Sequence, residues 1–274
     1  MEFMLIVTIG LSMICQCFSM DGFQLNQKRP TTITKSLTIV NGDVVPADSS
    51  DYYYMVTLAR LNEDGSLTVF CGGAILRPDV VITAYHCFKG EVLSKVFIRP
   101  NYDNTINDIP LELYYGISNI STHEEANVHD ICLVLLDTPI EFSDRIKSIS
   151  LPSEEVGDGT SVYVMGFGRM WTDGPISIQL RTARLTKQPD FLCSQFWPKS
   201  FHDDRHFCTA GPMGEDSCKG DSGGPLVQME GSKVVIVGIV SFGADCGSDY
   251  GVNMKVFAYV DWIRTLLESK SRLC

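Results

Sequence analysis

A succession of short apolar runs, rich in Val and Ile and set apart by turn-forming stretches, constrains this fold more than any other feature. The runs cover 52–60, 68–76, 80–84, 131–136, 161–167, 224–229 and 234–242. Several are continuous apolar runs rich in Val and Ile, as expected for strands buried in a barrel wall. Only the end of the chain changes period. Val256, Tyr259, Val260, Ile263 and Leu267 recur every three or four residues, which places them on one face of a terminal helix. Many strands followed by one helix predict an all-β enzyme built as a barrel or sandwich. No internal repeat interrupts the pattern.

The N-terminal part reads differently. Residues 3–15 form an apolar run too short to span a bilayer comfortably, followed by a polar stretch with small Ser19 as a cleavage site. We read 1–19 as a secretory signal peptide, although Glu2 stands where a positive charge is usual and no Lys or Arg precedes Lys28. Residues 20–38 lack a hydrophobic period and read as a propeptide, leaving 39–274 as the mature body. Ten cysteines fit an oxidising, extracellular compartment. The formal charge of −11 argues against a nucleic-acid partner, and no second apolar run reaches membrane-span length.

Three segments carry chemistry. In Gly220-Asp221-Ser222-Gly223-Gly224-Pro225, glycines on both sides allow a tight turn that exposes one serine. The backbone N–H groups of Gly220 and Ser222 are candidates to face a developing oxyanion. Serine is a weak nucleophile without a base. His86, in Thr83-Ala84-Tyr85-His86-Cys87, follows the apolar run VVITA and is the candidate base. His123, His129, His202 and His206 lie in polar surroundings and read as surface or loop residues. Asp130 stands directly before the run ICLVLL and is the candidate to orient an imidazole. Taken alone, it reads equally well as a strand-start aspartate.

Taken together, CGGAIL, ITAYHC, DICLVLL, DSCKGDSGGPLV and IVSFG, in this order, resemble the chymotrypsin–trypsin family of serine proteases. The resemblance implies two packed six-stranded antiparallel β-barrels and a C-terminal α-helix. It implies a triad of His86, Asp130 and Ser222, with an oxyanion hole at Gly220 and Ser222. Ser241 would hydrogen-bond near Asp130, and Ser241-Phe242-Gly243 would pair with substrate backbone. Asp216 would form the floor of a specificity pocket walled by Gly243 and Gly251, with Asp245 near its rim, selecting Arg or Lys. Tyr85 replaces a small residue beside His86, and Asn253 stands where relatives carry a tyrosine at the pocket base.

The same resemblance implies bridges Cys71–Cys87, Cys193–Cys208 and Cys218–Cys246, and leaves Cys132 and Cys274 unassigned. It also implies activation by a cut before Ile39, whose new ammonium would pair with Asp221. Relatives carry Arg or Lys before that cut, whereas this chain carries Thr38. Asn119-Ile120-Ser121 is a glycosylation sequon. The oxygen-rich segment 101–108, where some relatives bind calcium, reads as a solvated loop, and no metal or other cofactor is expected. The function expected is a secreted endopeptidase. Its partners would be protein or peptide substrates, an activating protease and protein protease inhibitors, with no nucleic acid or membrane. The alternative is a weakly active or non-catalytic homologue that binds or regulates. An α/β-hydrolase esterase is excluded because the serine comes last in the chain.

Overall fold

The computed structural model describes residues 39–46, 49, 52–106, 110–126, 128–247 and 250–271. The expected signal peptide and propeptide, and Cys274, lie outside them. Seven strands come first: β1 (Asp43–Val44), β2 (Met55–Leu61), β3 (Leu67–Arg77), β4 (Val80–Thr83), β5 (Val96–Pro100), β6 (Ile117–Thr122) and β7 (Cys132–Leu136). Six follow: β8 (Ser161–Gly166), β9 (Arg181–Lys187), β10 (His206–Ala210), β11 (Pro225–Glu230), β12 (Lys233–Phe242) and β13 (Gly251–Lys255). Helix α1 (Asp190–Phe196) lies between β9 and β10, and α2 (Val260–Ser271) ends the described chain.

All the strand pairs are antiparallel. The first sheet runs β5-β2-β3-β4-β7-β6, and among the described residues its two edges are joined by a bridge between Ile98 of β5 and Tyr115, just before β6. The second sheet closes fully. Strands β9-β10-β13-β12-β11-β8 form a ring because β8 also pairs with β9 over Ser161 to Gly166. Strand β1 sits at the far end of β9 from β10. Two six-stranded units and a terminal helix are the expected architecture, the first unit being closed by a single bridge.

Burial explains why these runs became strands. Met55, Val56, Leu58, Ile75, Ile82, Ile98, Leu133 and Val134 pack the first unit, each at most 1% exposed. Val162, Val164, Leu185, Phe207, Leu226 and Val237 fill the second. Each such side chain contributes roughly 1.5–3 kcal/mol of burial. The terminal face reaches back into the main core through Val256, Tyr259 and Ile263. Its first turn, Val256–Tyr259, is 3-10, and the α-helix begins only at Val260.

The units meet where the serine turn will be placed. Gly72 on β3 donates its N–H to the carbonyl of Ser222 at 2.8 Å, and Thr83 Oγ1 donates to the Gly72 carbonyl at 2.7 Å. Gly223 has φ 75°, and a Cβ there would lie 2.1 Å from Thr83 Oγ1. Glycine is required both by the backbone conformation and by this close approach.

Two expectations are corrected here. Segment 101–106 is not a solvated loop: Asn101 and Asn104 are 4% and 5% exposed. Asn101 Nδ2 donates to Asn104 Oδ1, and Asn104 Nδ2 donates to the Pro46 carbonyl, so their amides satisfy buried polar groups. Buried Arg99 supplies a cation there, donating to the Thr105 carbonyl and to Asp103. His206 is also not a surface residue, being 4% exposed.

Cys71–Cys87, Cys193–Cys208 and Cys218–Cys246 are bonded. Cys132 is a free, fully buried thiol whose pKa burial pushes up. The first bridge ties β3 to the turn that carries His86. Replacing both Cys71 and Cys87 with alanine should lower stability by about 3 kcal/mol, as expected for closing a loop of this size. Urea unfolding measures this, and an unchanged midpoint would show that the bridge does not brace the turn.

Candidate active site

The pairing of β4 with β7 begins the site. Thr83, the last residue of β4, pairs with Cys132, the first of β7. The chain just after β4 is therefore beside the chain just before β7. His86 lies in the first segment, a 3-10 turn over Tyr85–Phe88, and Asp130 lies in the second. Asp130 Oδ1 accepts the backbone N–H of His86 at 2.8 Å, and Oδ2 faces His86 Nδ1 at 2.8 Å. A carboxylate acceptor at Nδ1 places the ring proton there and leaves Nε2 able to take a proton.

The second unit supplies the remaining groups. Ser241, near the end of β12, donates its hydroxyl to Asp130 Oδ2 at 2.5 Å. Asp130 thus accepts three hydrogen bonds, which fix its rotamer and that of His86. The serine turn precedes β11. Gly220 within it has φ 101°, a conformation that glycine adopts without strain.

The amides of this turn divide into two sets. Asp221 N–H donates to the Cys218 carbonyl, Gly223 N–H to Val240, and Gly224 N–H to Asp221. Among the described residues, the N–H groups of Gly220 and Ser222 have no acceptor. Unsatisfied backbone donors are rare in folded proteins, and a neighbouring pair in a cleft is a ready anion site.

Asp221 is fully buried. Its Oδ1 accepts Gly168 N–H and its Oδ2 accepts Cys218 N–H, at 2.8 and 2.9 Å. Among the described residues it has no cationic partner. Burial pushes its pKa up to about 6 against the two hydrogen bonds. Ile39 is 0% exposed in the core of the second unit.

Ser222 opens onto a cavity of about 250 Å³ lined by Asp216, Ser241, Phe242, Gly243, Asp245 and Gly251, among others. Asp216 is 5% exposed. Its carboxylate accepts the backbone N–H groups of Ser217 and Gly247 at 2.8 and 3.2 Å. Burial pushes its pKa up to about 7, the two amides oppose this, and the nearby Asp221 charge adds to the rise. Gly251 keeps the wall open, since a Cβ there would lie 2.8 Å from Asp216 Oδ1. Asn253 does not line this cavity. It is buried on β13, where its amide donates to Thr209 Oγ1.

On the other side of Ser241 and Phe242 lies a second cavity, of about 570 Å³. Tyr85, His86, Lys89, His202, Arg205 and His206 contribute to its walls. Arg205 and His206 were not legible as site residues, because they fall in a polar stretch with no motif. Among the described residues, three close metal-type donors gather only at Cys71, His86 and Cys87. The two sulfurs are joined in a disulfide, so neither is a thiolate ligand.

Comparison with known proteins gives one consistent outcome. The Trypsin family model matches residues 39–263. The chain is 31% identical to Chymotrypsin-C of Bos taurus over 246 residues, covering 85% of this chain and 90% of that protein. It is 31% identical to Chymotrypsin-C of Rattus norvegicus over 278 residues, covering 97% and 100%. It is 28% identical to the Venom peptide isomerase heavy chain of Agelenopsis aperta over 234 residues, covering 79% and 96%.

Proposed function

The chain belongs to the trypsin family of serine proteases, and from that premise we propose a secreted serine endopeptidase, made as a precursor, that cuts after Arg or Lys. The observation that carries the reading is the gathering of three elements about Ser241 and Phe242, which line both cavities: the His86–Asp130–Ser241 hydrogen bonds, the two unengaged amides beside Ser222, and buried Asp216.

In this reading Ser222 Oγ attacks the scissile carbonyl and His86 Nε2 takes its proton. Asp130 holds the imidazole and stabilises the imidazolium. The carbonyl oxygen becomes an oxyanion held by the Gly220 and Ser222 N–H groups. His86 then returns the proton to the leaving amine as the C–N bond breaks, leaving an acyl-Ser222 ester. Water, deprotonated by His86, hydrolyses that ester and restores Ser222. The signal peptide 1–19, the propeptide 20–38 and a glycan on Asn119, which is exposed on β6, belong to the same proposal. Among the described residues, no helix is long and apolar enough to cross a membrane.

Specificity rests on Asp216. A desolvated carboxylate without a cation is costly, so a substrate guanidinium or ammonium is favoured over a neutral side chain. Activated protein should cleave peptides ending in Arg or Lys faster than those ending in Phe, Leu or Ala. Equal or better cleavage after Phe or Leu would sink the assignment. The raised pKa adds a pH signature. Below about 7 Asp216 is protonated and offers a cation no charge, so affinity for cationic benzamidinium should rise with pH through that value. The gain should be roughly tenfold between about pH 6 and about pH 8. Asp216→Asn should flatten that dependence and weaken binding by about 30-fold or more. An unchanged pH profile in the variant would assign the dependence to another group.

A further inference from the structure

The second cavity is lined by two cations, Arg205 and Lys89, that peptide hydrolysis alone does not explain. Arg205 lies on the wall, with its backbone fixed at both ends: its N–H donates to the His202 carbonyl and its carbonyl accepts Lys255 N–H. Its side chain is 15% exposed. The guanidinium is poorly matched for so buried a group. Among the described residues Nη1 alone is engaged, with the two oxygens of neighbouring Asp204 at 3.1 and 3.2 Å. Asp204 is 66% exposed, and an ion pair with so exposed a partner holds little. Nε is buried and has no hydrogen-bond partner among the described residues. Burying such a donor unpaired is costly, which leaves the guanidinium short of partners.

Lys89 lies on the same wall, and among the described residues the one carboxylate lining it, Asp130, is occupied by His86 and Ser241. His206 accepts the His202 backbone N–H at Nδ1, so its ring is neutral and cannot serve as the anion that Arg205 lacks. Burial, with Arg205 and His202 nearby, holds its pKa down at about 4.

Substrate geometry connects this wall to the cut. Ser241 and Phe242 line both cavities. An extended substrate paired along Ser241-Phe242-Gly243 presents alternate side chains to opposite faces. If the residue before the cut enters the Asp216 cavity, the second and fourth residues before the cut face the cavity of His86 and Arg205. We propose that Arg205 is a specificity-determining residue that receives an acidic side chain, Asp or Glu, at one of these two positions. The preferred substrate then carries an anion upstream of the Arg or Lys it is cut after. This rests on the endopeptidase reading for its direction along the substrate. It does not rest on turnover.

The test uses activated Ser222→Ala protein, which binds without cutting. Labelled peptides carry Arg before the cut and Glu, Gln or Lys at the second or the fourth position. Fluorescence anisotropy should give about tenfold tighter binding for Glu than for Gln at one position, the range of a charge-assisted hydrogen bond in a half-open site. Arg205→Glu should reverse the order and favour Lys, a result that a misfolded variant would not produce. Equal affinity for the Glu and Gln peptides at both positions, or no binding of any of them, overturns the proposal. Protein with Ser222 intact that binds these peptides with the Glu preference yet cuts none overturns the endopeptidase reading and upholds the Arg205 assignment.

Discussion

Replacing Ser222 with alanine should lower turnover of peptide substrates by about four to six orders of magnitude, and His86→Ala should do the same. The size follows from the division of labour. Without Ser222 no acyl-enzyme forms, and without His86 the hydroxyl stays protonated and poorly nucleophilic. The double variant should be no slower than either single one, because the two groups act in one step. Residual rate would come from the Gly220 and Ser222 amides, which the substitutions leave in place. Asp130→Asn should also be severe, since the amide has one acceptor oxygen where the carboxylate uses two, Oδ1 for the His86 backbone N–H and Oδ2 for His86 Nδ1 and Ser241 Oγ. A fluorophosphonate should label Ser222 in activated protein. Normal peptidase activity in Ser222→Ala would overturn the assignment and return the chain to the binding or regulatory alternative.

The strands legible in the sequence were those whose buried residues are apolar. Strand β12, KVVIVGIVSF, announces itself. Strand β9, RTARLTK, does not, although its residues alternate between buried and exposed. Two of its inward positions are Arg181 and Lys187, which are 6% and 3% exposed. They are tolerated because Arg181 donates to Ser177 and Lys187 bonds to Asp158 and Asp190. Strand β13 is hidden in the same way by Asn253 and Lys255, the latter donating to the Asp203 carbonyl. A reading by hydrophobic period fails wherever a buried charge finds its partner in a distant segment. The site divides likewise. Ser222 and His86 stand in local motifs, so the chain displays them, whereas Asp130 is legible only from the order of the motifs taken together. Arg205 matters through a missing partner, and a missing partner leaves no mark in a sequence.

Cutting between Thr38 and Ile39 should raise activity by about a hundredfold or more over the uncut precursor, the effect of aligning a single oxyanion donor. The backbone supports this reading. Ile39 has φ 31°, a left-handed conformation in which a β-branched residue is strained. That torsion is defined by the carbonyl of the preceding residue. When the bond is cut the torsion ceases to exist, and about 1–3 kcal/mol of strain is released. The new ammonium of Ile39 would provide Asp221 with the cation it lacks, and so hold the turn that carries Gly220 and Ser222. Val40 bridges antiparallel to Asp216, with Asp216 N–H donating to the Val40 carbonyl, so the same segment braces the cavity that Asp216 lines. Benzamidinium affinity should therefore rise with activity on cutting. Trypsin alone should activate poorly, because a cut after Lys35 leaves Ser36, Leu37 and Thr38 attached to the end that must enter. Thr38→Arg should make the precursor trypsin-activatable, with Ile39 as its first residue by N-terminal sequencing. Asp221→Asn should stay inactive even after that cut. Full activity in the uncut precursor, or in a form beginning at Ser36, would show that the Ile39–Asp221 pair does not control this enzyme.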